Sequence, residues 1–179
     1  MADREPRQRR PAPPLDQAKL DELALAYAAR FATSRAKLTS YLNRKLRERG
    51  WSGERAADVD ALVQRLSDLR YVDDSAYAGM KAGSLTRRGY GVRRVEQSLR
   101  AAGIEAPERE DARESAHAQR WASARAFATK RRIGPFASDR AEPALREKQI
   151  AAFLRAGHDF STARAWVHAE PGEEPETPD

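Results

Sequence analysis

Three stretches of the chain share one pattern, and this pattern predicts a repeated helical module. They are SYLNRKLRERGW (40–51), RRVEQSLRAAGI (93–104) and KQIAAFLRAGHDF (148–160). Each combines apolar residues at helical spacing with a Leu-Arg pair, a glycine exit and a large apolar residue, which is Trp51, Ile104 or Phe160. Because one such unit has little apolar surface to bury, neighbouring units must share their apolar faces. We therefore expect an all-α fold of elongated, tandem three-helix repeats with about eight or nine helices.

Composition separates this helical body from two polar ends. Residues 1–14 contain four arginines and four prolines, and residues 169–179 contain three prolines and five acids. Such segments bury too little apolar surface to fold, so we predict a disordered basic arm and a disordered acidic tail. Between them we predict a first repeat over 15–72, a second over 73–132 and a shorter third over 133–168.

The helices themselves are predicted from apolar periodicity and from capping residues. No stretch shows the alternation that is typical of strands. The expected helices are one from about Leu15 to Ala32, one capped by Ser34 and ending at Gly50, one over about 55–71, one capped by Asp73 and ending before Gly89, one from Val92 to Gly103, one long helix from Pro107 to near Arg131, one from Pro143, and a short one capped by Ser161.

The charge balance indicates a polyanionic partner or a partner with an acidic surface. Lys and Arg number 33 against 27 Asp and Glu, for a net charge of +6. This suits such a partner, but a well-solvated helical surface rich in Arg and Glu would give the same excess. The sequence has no cysteine, which excludes disulfides and thiolate catalysis. It also lacks an apolar run of about 20 residues and an apolar secretory signal, so we expect a cytoplasmic protein without a membrane partner.

The search for catalytic motifs is negative, and we expect neither an enzyme nor a metal or cofactor site. The chain has no phosphate-binding loop and no zinc-protease motif. His117, His158 and His168 lie in different elements, without the spacing of metal ligands. The Asp73-Asp74 pair could bind a metal, but a helix begins directly after it, and acids are favoured there by capping and by the helix dipole.

A group of basic residues surrounds the turn Gly89-Tyr90-Gly91. Arg87 and Arg88 end a helix, where the dipole favours cations, whereas Arg93 and Arg94 begin one, where the dipole disfavours them. The second pair is therefore poorly explained by local structure, although solvent would tolerate it. Tyr90 could stack on a base, contact a partner protein or lie on the core. We call this group the basic elbow and predict that it contacts a partner protein or DNA; it comprises Lys81, Arg87, Arg88, Tyr90, Arg93 and Arg94.

Residues in and around the elbow resemble a known family. Tyr71-Val72-Asp73-Asp74-Ser75-Ala76-Tyr77-Ala78, Arg88-Gly89-Tyr90-Gly91-Val92, Leu99 and Ala102-Gly103-Ile104 resemble, at matching spacing, the RecX family of bacterial recombinase regulators. The resemblance covers about residues 34–168, and His158-Asp159 departs from it by replacing the usual glycine before the aromatic residue. It marks as repeat-defining Asp73, Asp74, Tyr77, Gly89, Gly91, Leu99 and Gly103.

The resemblance implies a non-catalytic protein of tandem three-helix repeats with a basic face. It implies binding to the RecA recombinase filament, with inhibition or modulation of its extension and activity in recombination, DNA repair and the SOS response. The assignment of the elbow residues as contacts rests on charge placement alone. The alternative is a RecA-independent protein that binds single-stranded or duplex DNA, because residues 74–102 look like a helix–turn–helix. A monomer is expected in either case.

Overall fold

The computed structural model describes residues 13–177, so most of the predicted basic arm (1–14) and the last two residues of the acidic tail lie outside the described residues. Within this range the chain forms nine α-helices, one short 3-10 turn at Gly134–Phe136 and no β-strand, which confirms the all-α expectation. No helix in this range is long and apolar enough to cross a membrane. The helices are α1 (Gln17–Arg30), α2 (Arg35–Arg49), α3 (Val59–Asp68), α4 (Asp74–Arg87), α5 (Val92–Ala101), α6 (Ala106–Ala118), α7 (Arg120–Arg131), α8 (Pro143–Arg155) and α9 (Phe160–His168).

Side-chain caps begin the first three helices. The side chains of Asp16, Ser34 and Asp58 each accept the amide hydrogen bond of the residue three positions later, at 2.8, 3.3 and 2.9 Å. Such a cap typically stabilises a helix by about 0.5–2 kcal/mol, because a first-turn amide has no partner within the helix. The predicted cap at Ser34 is confirmed.

Glycine exits end α4, α5 and α8 by one shared arrangement. Gly89, Gly103 and Gly157 all have positive φ angles, of 86°, 72° and 94°. In each case the amide of the following residue donates to the carbonyl five positions earlier, at 3.1 Å. These bonds satisfy the last carbonyls of each helix and turn the chain out of it. The residue after the third exit is thus His158, and Phe160, the large apolar residue of the third copy of the pattern, is 57% exposed.

The single long helix predicted from Pro107 to Arg131 is wrong. The chain breaks at Gln119, whose ψ angle is 12°, and forms α6 and α7 instead. The reason is tertiary, because α6 packs Ala112 and Ala116 into a core with α4 and α5, whereas α7 packs Phe127 into another core with α8 and α9. No glycine or proline marks this break in the sequence.

Three consecutive helices form each of the three apolar clusters. The chain as a whole falls into two compact units. The unit Met1–Asp73 contains α1–α3 around Leu20, Leu38 and Leu62. The unit Asp74–Asp179 contains both remaining clusters, one from α4–α6 and one from α7–α9. Tyr90 packs against both of these clusters. The predicted boundary between the second and third repeats, at 132/133, follows α7 in the chain, whereas the buried apolar residues of α7 lie in the cluster of α8 and α9.

Candidate functional site

The turn of the basic elbow follows the end of α4, and its two glycines allow very close backbone packing. A Cβ added at Gly91 would lie 2.4 Å from the carbonyl carbon and oxygen of Gly157. A Cβ added at Gly89 would lie 2.8 Å from the backbone nitrogen of Phe127. Both distances are far below van der Waals contact, so any side chain at either position would displace backbone. The turn is therefore fixed directly against α7 and the turn that follows α8.

Backbone hydrogen bonds join the start of α5 to the end of α8. The amide of Gly91 donates to the carbonyl of Ala156 at 3.0 Å, and the amide of Arg93 donates to the carbonyl of Gly157 at 3.1 Å. Amides at the start of a helix have no acceptor within it, and carbonyls at the end of a helix have no donor. Each terminus therefore satisfies the other, and the positive end of the α5 dipole meets the negative end of the α8 dipole.

This junction supplies a local reason for the two arginines at the start of α5. Both side chains are exposed, and Arg94 Nη1 donates to Gln97 Oε1 at 2.8 Å. A Cβ added at Gly157 would lie 2.6 Å from Arg94 Cβ, so this arginine stands at the C-terminal end of α8. The negative partial charge of that end offsets the unfavourable α5 dipole. That Arg93 and Arg94 contact a partner stays a prediction.

The buried side chain of His158 holds the turn of the elbow by a hydrogen bond, and sequence reasoning missed this role. Its side chain is 3% exposed, and its Nε2 lies 3.0 Å from the carbonyl oxygen of Gly89. Since a carbonyl only accepts, Nε2 carries the hydrogen and the ring donates it. Burial lowers the pKa of His158, and the bond to Gly89 opposes this only in part, so the ring is neutral at pH 7. The available signal was the His158-Asp159 departure from the family pattern.

Asp159 is the N-cap of α9, a role that the sequence had suggested for Ser161. Its carboxylate accepts the Thr162 amide at 2.7 Å and the hydroxyls of Thr162 and Ser161. Burial raises the pKa of Asp159, but the hydrogen bonds from Ser161 and Thr162 outweigh this and lower it to about 2. Ser161 is therefore a donor to the cap and not the cap itself.

Three of the six predicted contact residues line two separate cavities of the second unit, and the other three line neither. Arg88 and Tyr90 line a cavity of about 210 Å³, together with cations from the ends of α7 and α8. Arg93 lines another cavity, of about 520 Å³, beside Arg120 and Glu176. Lys81 is half-buried within α4, and Arg87 and Arg94 are exposed; none of the three lines either cavity. The structure adds to the predicted cations Lys130, Arg131 and Arg155.

The residues predicted to define the repeat lie mostly inside the second core. Asp74, Tyr77 and Leu99 are at most 6% exposed. Asp73 directly precedes α4, which is the N-cap position, and its carboxylate lies 3.3 Å from Arg70 Nη1. The roles assigned to these residues, and to Gly89, Gly91 and Gly103, stay predictions. Within residues 13–177 no cluster of three His, Asp or Glu could hold a metal ion.

The described part of the predicted acidic tail makes specific contacts within the second unit. Arg125 of α7 donates through Nε and Nη2 to both carboxylate oxygens of Glu174, at 2.6–3.0 Å. The Gly172 amide donates to the carbonyl of Pro135 at 2.9 Å, and Arg140 pairs with Glu170 at 2.8 Å. The hydrogen bonds and charge of Arg125 lower the pKa of Glu174. This segment therefore forms ion pairs with two arginines of its own unit.

Comparisons with known proteins agree with one another. The family model described as "RecX, second three-helix domain" matches residues 73–112, which contain α4, α5 and the start of α6. The "Regulatory protein RecX" of Myxococcus xanthus (strain DK1622) is 35% identical over 165 residues, which cover 85% of this chain and 86% of that protein.

Two solved structures share the fold at low identity. The "Crystal structure of regulatory protein RecX" has a TM-score of 0.64 and 20% identity, covering 82% of this chain and 68% of that chain. RecX from Lactobacillus salivarius has a TM-score of 0.63 and 18% identity, covering 82% of this chain and 90% of that chain. The fold is thus shared with RecX structures, and the 35% identity over most of both sequences shows that this chain belongs to the RecX family.

Proposed function

We propose that this protein is a RecX-type regulator that binds the RecA nucleoprotein filament and inhibits or modulates its extension and activity. Recombination, DNA repair and the SOS response would be the processes affected. The observation that carries the proposal is the 35% identity, over most of both chains, to a protein called Regulatory protein RecX. No catalytic group is needed for this role, because occupancy of the filament would itself limit further assembly.

The geometry of the basic elbow supports a role in binding. Its backbone is fixed by Gly91, Gly157 and His158, while Arg87, Arg88, Arg93 and Arg94 remain exposed. A rigid backbone that presents exposed cations loses little conformational entropy on binding. A nucleoprotein filament carries the phosphates of its DNA, so exposed cations also increase the rate of encounter with it.

The alternative function is nucleic-acid binding without RecA. It is supported by cations of the second unit that have no carboxylate partner among the described residues, such as Arg88 and Arg155. Both functions would use the same charge, and they differ in whether affinity depends on the protein part of the filament.

A competition experiment separates the two functions. Labelled protein is bound to RecA filaments on single-stranded DNA at physiological salt, and unlabelled naked DNA of the same sequence is added in excess. We expect the filament to retain the protein and its extension to slow. If naked DNA removes the protein fully, and filament extension is unaffected, the RecA-independent function is correct.

A further inference from the structure

The acidic segment, which comprises residues 169–177, lies against the second unit without adding to its core. None of these residues is buried, and none belongs to an apolar cluster. The contacts described above hold it, namely a backbone hydrogen bond from Gly172 to Pro135 and the exposed ion pairs of Glu170 and Glu174. Because exposed ion pairs add little to stability, the segment is held weakly and can be displaced.

Arg125 is oriented to bind a carboxylate with or without this segment. Its Cζ lies 5.4 Å from the ring centroid of Phe136, and that ring stacks on the buried ring of Trp166 with the centroids 6.2 Å apart. A ring on one face of a guanidinium leaves the in-plane N–H donors to a ligand. In the structure both carboxylate oxygens of Glu174 accept from these donors, as a bidentate pair. Phe136 is not part of the acidic segment, so the support of Arg125 remains when the segment leaves.

A second position for a carboxylate lies two residues further along the segment. Glu176 lines the cavity of about 520 Å³, beside Arg93 and Arg120. This volume falls within the range of about 300–1,000 Å³ that is usual for ligand sites. The other acid that lines the cavity, Asp159, is used in the cap of α9. Without Glu176, two guanidinium charges would face only one carboxylate, and the cavity would attract a carboxylate from elsewhere.

We propose that the surface under the acidic segment binds an acidic peptide of another protein, which displaces the segment and places its carboxylates where Glu174 and Glu176 lie. The class of peptide follows from this spacing, since two acids two residues apart would reach Arg125 and the cavity together. Pro175, between the two acids, is half-buried, and a peptide can repeat this contact whereas a nucleic-acid backbone cannot. Proline also restricts the free peptide and so lowers the entropy lost on binding. The inference goes beyond the proposed function, because it assigns to this protein a ligand that need not come from a filament.

The test adds a fluorescein-labelled peptide with the sequence of residues 169–179, AEPGEEPETPD, to the full chain and follows fluorescence anisotropy at low salt. The variant Glu174→Gln/Glu176→Gln keeps the shape of the internal segment and removes both carboxylate charges. In that variant, the further change Arg125→Gln removes the bidentate donor. The matched change Arg164→Gln removes the same charge from an exposed position of α9 that does not line the cavity.

We expect Glu174→Gln/Glu176→Gln to bind the peptide at least about tenfold more tightly than the unchanged protein, because a tethered competitor acts at an effective concentration in the millimolar range. Adding Arg125→Gln should weaken binding by at least about tenfold, since a charge-assisted bidentate pair is lost. Adding Arg164→Gln should change binding little. A peptide with glutamine at the position of Glu174 should bind more weakly than one with glutamine at the position of Glu173, although both have the same charge.

Equal binding by the unchanged protein and by Glu174→Gln/Glu176→Gln, or no binding by either, would overturn the proposal. Equal weakening by Arg125→Gln and Arg164→Gln would also overturn it, because net charge alone would then explain binding. An oligothymidylate that binds more tightly than the peptide, and loses affinity through Arg125→Gln alone, would assign the surface to nucleic acid instead.

A circular-dichroism melt verifies the fold of each variant. If Arg125→Gln is unfolded, Arg125→Lys decides by the same criteria with Arg164→Lys as its control, because lysine keeps the charge and lacks the paired donors. Since no RecA is present, failure here leaves the proposed function standing.

Discussion

At the scale of single residues, the contact between Gly91 and Gly157 gives the sharpest mutational test. A methyl group at Gly91 would collide with the backbone of Gly157, whereas one at Gly79, in α4, would meet nothing within 4 Å. We expect Gly91→Ala to destabilise the protein by about 1–3 kcal/mol through overpacking. Gly79→Ala should stabilise it by up to about 1 kcal/mol, because alanine favours a helix. Urea denaturation of both variants measures the difference, and equal effects would show that the elbow is not tightly packed.

His158 predicts a dependence of stability on pH. Its folded pKa lies below the unfolded value of 6.5, so between these values the unfolded chain binds more protons. This contribution to stability is complete above pH 6.5 and is lost as the pH falls through the folded pKa. One proton limits the slope to about 1.4 kcal/mol per pH unit. Asp159 contributes separately in more acidic solution, because the stability from its lowered pKa is lost as the pH falls from its ordinary value of 3.8 to about 2.

The variant His158→Gln keeps a side-chain N–H for the carbonyl of Gly89 but does not titrate. Urea denaturation at pH 7 and at a mildly acidic pH should therefore show a smaller difference for this variant than for the unchanged protein. His117→Gln, at an exposed position of α6, should leave the difference as it is. An unchanged slope in His158→Gln would mean that another group dominates the pH dependence.

Arg93 and Arg94 should matter for binding and little for folding. Both are exposed, and the opposing partial charges at the junction of α5 and α8 leave little net dipole effect to lose. Arg93→Ala/Arg94→Ala should therefore keep the melting temperature and weaken binding to the RecA filament. The control Lys148→Ala/Arg164→Ala removes equal charge from exposed positions of α8 and α9. A lower melting temperature with unchanged binding would show that the pair is structural.

At the scale of elements, periodicity and glycine exits predicted most helices. Helix boundaries that depend on tertiary packing could not be predicted from the sequence. Ser34 and Gly89 carry local signals, because caps and positive φ angles depend on the residue itself. The break at Gln119 has no such signal, since it arises from packing against two different cores. The cavity that Arg88 and Tyr90 line was missed for a similar reason, because Lys130, Arg131 and Arg155 each lie at the end of a helix, where a cation has a local explanation.

The acidic segment after α9 should compete with anionic ligands for the second unit. Glu174 forms an ion pair with Arg125, and Glu176 lines the same cavity as Arg93. Deleting residues 169–179 should therefore strengthen binding of DNA or of the filament at low salt. At about 0.15 M salt the Debye length shortens to about 8 Å, and the effect should fade. A binding titration at two salt concentrations measures this.

Glu174→Gln is the matched point variant for this deletion, because it keeps the shape of the side chain and removes its charge. It should reproduce part of the gain at low salt. If the deletion has an equal effect at both salt concentrations, or unfolds the protein, the segment is a packed part of the fold and not an electrostatic competitor.

At the scale of the whole molecule, the compact unit Asp74–Asp179 contains two apolar cores that share one half-buried tyrosine and the elbow contacts. We expect residues 74–179 alone to unfold in a single cooperative transition. Residues 119–179 alone should not fold stably, because they lack Tyr90 and the amides that satisfy the end of α8. Thermal and urea melts followed by circular dichroism test both fragments. A stable, cooperative fragment 119–179 would show that the third core is independent.

The bonds between α5 and α8 also make two amides internal reporters of motion. First-turn amides of a helix ordinarily exchange with solvent quickly, because no carbonyl within the helix accepts them. In this chain the hydrogens of Gly91 and Arg93 are held by carbonyls of the following repeat. Their exchange rates therefore measure how often the two cores separate. Rates equal to that of buried Val95 would mean separation only on global unfolding, and faster rates would give the free energy of a partial opening that exposes the elbow.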